Sequence, residues 1–436
     1  MLVLHGIFAA AAGLPCLALT SGISPPSSSS SSSSVCAQLE DVVSADTTLE
    51  CGAATARWSE YAAPQPGAII RIGKEEDVSK VIRLANALDI PFLVQSGANG
   101  WADTFDLGPE GVVIDLSALK AISFNDERTE VSFQAGVLIG DLVAAAWRND
   151  ARVATGTCNC VSVLGAGLGV GVGRGTGPYG LGSDQLLRVN LVDAAGSEVL
   201  VTPESDPDLW WALGGAGPNF GVVTSAVYRS YPVADKGSNT AWTGLLVYDP
   251  AAQLEAVVAA IDALVLEPEM QLDFYFTEGH LAVLPFYLGS EADGRGKFAS
   301  LLDLGPMSDG TGVMPYDVWN AAGDVFCQRG GRKPAYSANV RKLDPAAWRR
   351  AWDAYEAFYA ANPEANQTTV LTECYSTAKS VEIGGEGQSA YPWRDVRCYA
   401  IAIPWYTSPE LDDKANEFGR ELRSIWAESS GSGFST

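Results

Sequence analysis

The chain has 436 residues, 47% hydrophobic and 18% charged, with 52 Asp plus Glu against 28 Lys plus Arg and a formal charge of −24. A mean hydropathy of +0.07 excludes an intrinsically disordered polymer, and the length predicts two or three lobes. So negative a field repels phosphate backbones and anionic lipid, which excludes nucleic acid and membrane surfaces as partners. Two histidines, His5 and His280, exclude histidine-rich metal sites, so no metal is expected.

In chain order, residues 1–39 carry no Asp, Glu, Lys or Arg, and 7–20 form an apolar run of signal-peptide length ending at Ala18-Leu19-Thr20. Residues 1–20 therefore read as a signal peptide and the protein as secreted. Residues 21–60 read as a linker and N-terminal segment, with Pro25-Pro26 and serines at every position from 27 to 34. Later apolar runs are too short to span a membrane. Removal of Cys16 leaves seven cysteines, an odd number, so one is unpaired or used in chemistry. Cys36 and Cys51 can close a local loop, Cys374 and Cys398 can pair on neighbouring strands, and Asn366-Gln367-Thr368 is a glycosylation sequon.

Residues 61–234 form the first large lobe. A strand at 68–72 precedes a helix at 75–88, whose apolar residues recur at helical spacing and whose first turn is acidic. Strands at 91–94, 112–115 and 129–133 follow. Ten glycines then fall between 156 and 182, before a strand at 187–192, a short helix near 206–213 and a second glycine patch at 214–217. Residues 235–405 change character: helices at 251–266 and 346–361 alternate with strands at 271–276, 281–287 and 370–375. The fold class is α+β, two-lobed, the second lobe an antiparallel sheet covered by helices.

Clustered glycines let the backbone approach a ligand closely, and their successive N–H groups make anion-binding nests. The segment is neither a Rossmann fingerprint nor a phosphate loop, because no GxGxxG opens a first βα turn and no GxxxxGK[ST] occurs. Five segments carry a resemblance. These are the entry at 64–88; Val94-Gln95-Ser96-Gly97-Ala98-Asn99-Gly100-Trp101, similar to an Arg-Ser-Gly-Gly-His loop; and Gly156-Thr157-Cys158-Asn159-Cys160-Val161 with the glycines through Asp184. The fourth joins Asp208-Leu209-Trp210-Trp211 to Gly217-Pro218-Asn219-Phe220-Gly221-Val222-Val223-Thr224, and the last is Ala390-Tyr391-Pro392-Trp393-Arg394. Together they resemble the secreted fungal branch of the berberine-bridge-enzyme-like FAD-linked oxidases, in the vanillyl-alcohol-oxidase superfamily.

That resemblance implies a PCMH-type FAD-binding domain over 61–234, a substrate domain over 235–405, and a C-terminal segment, 406–436, that returns to the FAD domain and reads as truncated. It implies an FAD cofactor bound by Gln95, Ser96, Gly97, Ala98, Asn99, Gly100 and Trp101, by Gly156, Cys158, Val161, Gly165, Gly167, Gly169, Gly171 and Asp184, and by Gly221, Val222 and Val223. Relatives often link the flavin through a histidine and a cysteine. Asn99 stands at the histidine position, so no histidyl link can form; Cys158 stands at the cysteine position, and Cys160 can pair with it or fill space. Trp393 replaces a histidine and packs.

The implied reaction is hydride transfer from a small alcohol, sugar or secondary metabolite to the flavin, with O₂ as acceptor. The alternatives are a cyclase with redox-silent FAD and an inactive homologue. A catalytic base must be a carboxylate or phenol raised by burial; Glu373 is the first candidate, Tyr375 and Tyr406 the next. His280 reads as a hairpin residue.

Overall fold

A computed structural model describes residues 35–39, 44–52, 56–100, 104–384 and 387–430. The expected leader, Cys16, the serine tract and Trp101 lie outside the described residues. In the first lobe, helix Glu75–Ala87 connects strands Ala68–Arg71 and Phe92–Gln95, which both pair in parallel with Val112–Asp115. The helix forms where it was expected because Val78, Val81, Ile82 and Ala85 make one buried stripe, while Glu75, Glu76 and Asp77 suit its positive end. Strand Thr48–Cys51 adds an antiparallel edge, tied back by the Cys36–Cys51 disulfide.

A five-stranded antiparallel sheet completes this lobe, ordered Ile122–Phe124, Glu130–Gln134, Val222–Arg229, Leu186–Val192 and Glu198–Val201. The glycine-dense stretch folds as short helices, Val163–Gly167 and Thr176–Tyr179, joined by loops. Gly171 and Gly177 are among its sterically required glycines. Gly171 has φ +68°, and a Cβ on Gly177 would lie 2.0 Å from the Pro268 carbonyl oxygen of the second lobe.

The second lobe is a nine-stranded antiparallel sheet in which His280–Tyr287, Met270–Thr277, Thr369–Tyr375 and Cys398–Ile403 run side by side to the edge strand Tyr336–Val340. Helices Pro250–Ala263, Pro345–Ala361 and Asp412–Ser429 cover one face. The last helix differs from expectation. It packs on Pro345–Ala361 and strand Tyr336–Val340, with Phe358 and Phe418 stacked at 4.5 Å. Its apolar stripe (Ala415, Phe418, Leu422, Ile425, Trp426) matches this sheet's helical cover, so it completes the second lobe; Asn416 donates one hydrogen bond to Tyr61 of the first (2.9 Å). His280 is exposed at a hairpin, its Nδ1 2.8 Å from the Glu278 carbonyl.

Cys374 pairs with Cys398 across neighbouring strands, as expected. Cys160, whose partner the sequence left open, bonds Cys327, 167 residues away, and leaves Cys158 as the free thiol among the described residues. No described helix is long and apolar enough to cross a membrane.

Candidate active site

Side chains alternate across a strand, so one residue in two along the central strands faces away from the helices. In register, Gln271 lies opposite Tyr375, Asp273 opposite Glu373, and Glu373 opposite Tyr399. On this face Leu371, Glu373, Tyr399 and Ile401 keep accessible surface, whereas Val370, Thr372, Cys374, Cys398 and Ala400 on the helix side are closed off. The open face looks toward the first lobe, and the seam between the two is the candidate cleft. Its opposite wall is the first-lobe segment 155–160, every residue of which is partly accessible.

Two side chains join the walls. The Thr157 hydroxyl donates to Glu373 Oε1 (3.0 Å), and Arg174 Nη1 donates to Gln271 Oε1 (2.8 Å). Gln271 Nε2 in turn donates to Asp273. Asp273 is buried at 2% exposure, while Glu373 is densely surrounded yet open to the cleft. Burial raises the Asp273 carboxyl, the neighbouring Glu373 charge raises it further, and Arg174 opposes both. Burial also raises Glu373, against the Thr157 hydrogen bond and the Arg174 charge. Adjacent carboxyls served by one guanidinium resist double ionisation, which leaves a proton on the pair well above the usual carboxylate range.

Tyrosines complete this wall. Tyr375 is buried beside Glu373, with which its hydroxyl interacts, and burial followed by the Glu373 and Asp273 charges pushes its pKa up. The Tyr391 and Tyr399 hydroxyls are 2.9 Å apart. Tyr275 stacks on Phe326 at 5.9 Å.

Cys158 sits at the cleft with its Sγ 3.5 Å from Cys160 Sγ and 3.9 Å from Cys327 Sγ. Burial pushes its thiol up to about 11, with the charges of Glu373 and Asp324 adding to the effect. Three clustered sulfurs resemble a ligand set, but two share a disulfide and offer no thiolate, so they do not make a metal centre.

The turn Ser96-Gly97-Ala98-Asn99-Gly100 abuts the same segment. A Cβ on Gly97 would lie 2.9 Å from the Ser162 nitrogen, and the Ser96 and Ser162 hydroxyls both donate to the Ala135 carbonyl (2.6 and 3.2 Å). Ala98 is left-handed at φ +56°. Among the described residues none of the amides of 97–100 donates to a protein acceptor, whereas the carbonyls of Gly97, Ala98 and Gly100 are all engaged. Unpaired amides with carbonyls tied behind them form a nest for an anion, which fits the diphosphate of FAD.

The remaining expected residues divide. Val161 continues the cleft loop, and Gly165 lies in the helix capped by Ser162, whose Oγ accepts from the Gly165 amide (3.2 Å). Gly167 packs against Tyr228, and Gly169 and Gly171 lead out of that helix. Gly156 lies beside Ile139, at the cleft. Gly221, at φ +145°, backs onto Val192, and Val222 and Val223 begin a core strand.

Asp184 and Tyr406 stand apart from the others. Both carboxylate oxygens of Asp184 are held by Arg394 (2.8 and 3.0 Å) and one also caps the Leu181 amide (2.9 Å), so this side chain clamps the lobes together and is not free for a cofactor. Tyr406 belongs to the helix-side core and donates to Asp412 Oδ1 (2.7 Å), away from the cleft. The sequence reading missed Asp273, Thr157, Arg174 and Gln271. An acid at alternate spacing with Gln271 and Tyr275 inside an apolar strand was the available signal.

A family profile described as an FAD binding domain matches residues 66–202. The FAD-linked oxidoreductase hasG of Aspergillus fumigatus is 34% identical over 387 residues, covering 84% of this chain and 81% of that protein. The FAD-linked oxidoreductase OXR1 of Pyricularia oryzae is 30% identical, covering 85% and 75%. The fold matches that of BBE-like 1 from Physcomitrella patens (TM-score 0.79, 17% identity, 90% and 88% covered) and 6-hydroxy-D-nicotine oxidase from Arthrobacter nicotinovorans (TM-score 0.75, 24% identity, 90% and 88% covered). The family expected from the five segments is the one found: the chain belongs to the FAD-linked oxidoreductases, with the FAD-binding fold of the berberine-bridge-enzyme-like proteins.

Proposed function

We propose that this oxidoreductase is a secreted oxidase that dehydrogenates a small alcohol, sugar or secondary metabolite in the cleft between its lobes, with O₂ as final acceptor. The observation that carries the reading is the carboxyl pair Asp273 and Glu373, opposite one another in register, with Thr157 of the first lobe bonded to Glu373. Bound FAD supplies the hydride acceptor. Glu373, open to the cleft, takes the substrate's hydroxyl proton, and Thr157 orients the carboxylate that receives it. Asp273 and Arg174 set the charge of that carboxylate, and the neighbouring Tyr375 hydroxyl helps to orient it. Arg174 acts through Gln271, which keeps the guanidinium against the acid pair.

Asn99 leaves no histidine for a flavin link, and Cys158 is the residue at which a cysteinyl link would form. Secretion is supported by the apolar leader and by three disulfides, which persist in oxidising compartments. Asn366 of the sequon is exposed, as glycosylation requires.

Anaerobic mixing of the purified protein with a panel of small alcohols and sugars tests the reading. The expected outcome is bleaching of the visible flavin band by at least one compound and recovery of the band on admitting air. Product formed without bleaching favours a redox-silent cyclase, and protein that holds no flavin ends the proposal.

A further inference from the structure

Arg57 and Arg329 approach the same turn from different lobes. Arg57 is buried at 5% exposure; its Nη1 donates to Gln95 Oε1 (3.3 Å) and its Nη2 to the Gly100 carbonyl (3.2 Å). Arg329 follows the second-lobe segment Ala321–Cys327 and donates through Nη1 to the Ala56 carbonyl (2.6 Å) and through Nη2 to the Gly97 carbonyl (2.9 Å). Burial and then the Arg329 charge lower the Arg57 guanidinium, and no carboxylate acts against them there; the nearest acid of this segment, Glu60, acts on Lys333. Among the described residues neither forms an ion pair.

Lys333 enforces the juxtaposition. Its Nζ donates to the carbonyls of Trp58, Gln328 and Gly330 (2.6, 2.8 and 2.7 Å), which fastens the backbone next to Arg57 to the backbone next to Arg329. Arg57 is buried without a carboxylate, so an anion bound at this turn meets positive charge that the protein itself does not neutralise. The groups left open for that anion are the amides of 97–100, whose carbonyls the two arginines and the Trp58 amide hold on the opposite side.

We propose that Arg57 and Arg329 form a clamp spanning both lobes, which orients the 97–100 turn and supplies the positive potential for a dinucleotide diphosphate. They are positioning residues, acting through the turn's amides. Because Arg329 belongs to the second lobe, cofactor binding also draws that lobe onto the first. This inference rests on the assignment of FAD to the cleft.

The test measures FAD affinity of the full-length protein in a Cys158→Ser background, where no cysteinyl link can form, by flavin fluorescence at low and high salt. In that parent, affinity falls as salt rises. Arg329→Gln, at an exposed position and so little risk to folding, is expected to bind about 10-fold more weakly at low salt and to show a shallower salt dependence. Arg57→Gln should behave likewise, and Arg329→Lys should restore the salt slope. Unchanged affinity in Arg329→Gln overturns the proposal, as does weaker affinity with an undiminished slope, which marks a structural defect only. A parent that binds no FAD overturns the cofactor assignment instead, and the two failures are thereby distinguished.

Discussion

The two faces of the second-lobe sheet are built from the same strands and differ in chemistry. Toward the helices, Leu272, Phe274, Phe276 and Cys374 are closed off, with Phe274 edge-on to Trp348 at 4.9 Å and Phe276 edge-on to Trp352 at 5.0 Å. Toward the first lobe, Gln271, Asp273, Glu373 and Tyr375 occupy the alternate positions. Asp273 is as inaccessible as Phe274, at 2% and 1% exposure, so burial does not separate core from site. What separates them is whether the buried atoms are content there. Rings on the helix side gain by leaving water, whereas the acid pair is held in a state that water would relieve, the signature of a reactive centre.

Four substitutions would break or sharpen that contrast, in descending order of effect. Glu373→Gln should slow anaerobic flavin bleaching by about 10²–10⁴-fold while leaving the thermal midpoint unchanged or higher, since a strained carboxylate is removed. A midpoint that falls as far as that of a core variant would make this face ordinary core. Phe276→Ala should do the reverse: a loss of about 3–5 kcal/mol in denaturant unfolding, with turnover per folded molecule retained.

Asp273→Asn probes the proton. The folded protein holds a proton that the unfolded chain releases in the ordinary carboxylate range, so this contribution to stability is full in acid and is lost as pH rises through the raised value. The variant should therefore show a flatter midpoint-against-pH curve and gain on the wild type as pH rises; parallel curves would remove the shared-proton account. Thr157→Val deletes one hydrogen bond to Glu373, worth about 0.5–1.5 kcal/mol. It should raise the Glu373 carboxyl further and move the acid limb of the pH–rate profile upward, and a fixed limb would detach Thr157 from the base.

Legibility in the sequence followed sequence distance. Helix Glu75–Ala87 and strand Thr369–Tyr375 are readable because their periods are local, and Cys374 pairs with Cys398 because the strands carrying them are neighbours. Cys160 and Cys327 are 167 residues apart, and nothing local marks them as partners. Asp184 lies in a glycine-rich loop of ligand-binding character, yet Arg394, 210 residues on, takes its carboxylate. Tyr406 follows the cleft strand Cys398–Ile403 by three residues, and the chain has already crossed to the helix side, where Asp412 receives its hydroxyl. Arg57 and Arg329 meet at the 97–100 turn from segments whose approach no spacing rule foretells.

Alternation and glycine content by themselves determined which residues share a face and which turns can admit an anion, because both follow from backbone geometry over a few residues. Which face meets the other lobe, which acid stands across from Glu373, and which arginines gather at the turn were decided only by tertiary structure. Those choices depend on how strands far apart in the chain come into register and on how two independently built cores are pressed together, and neither leaves a trace in local sequence.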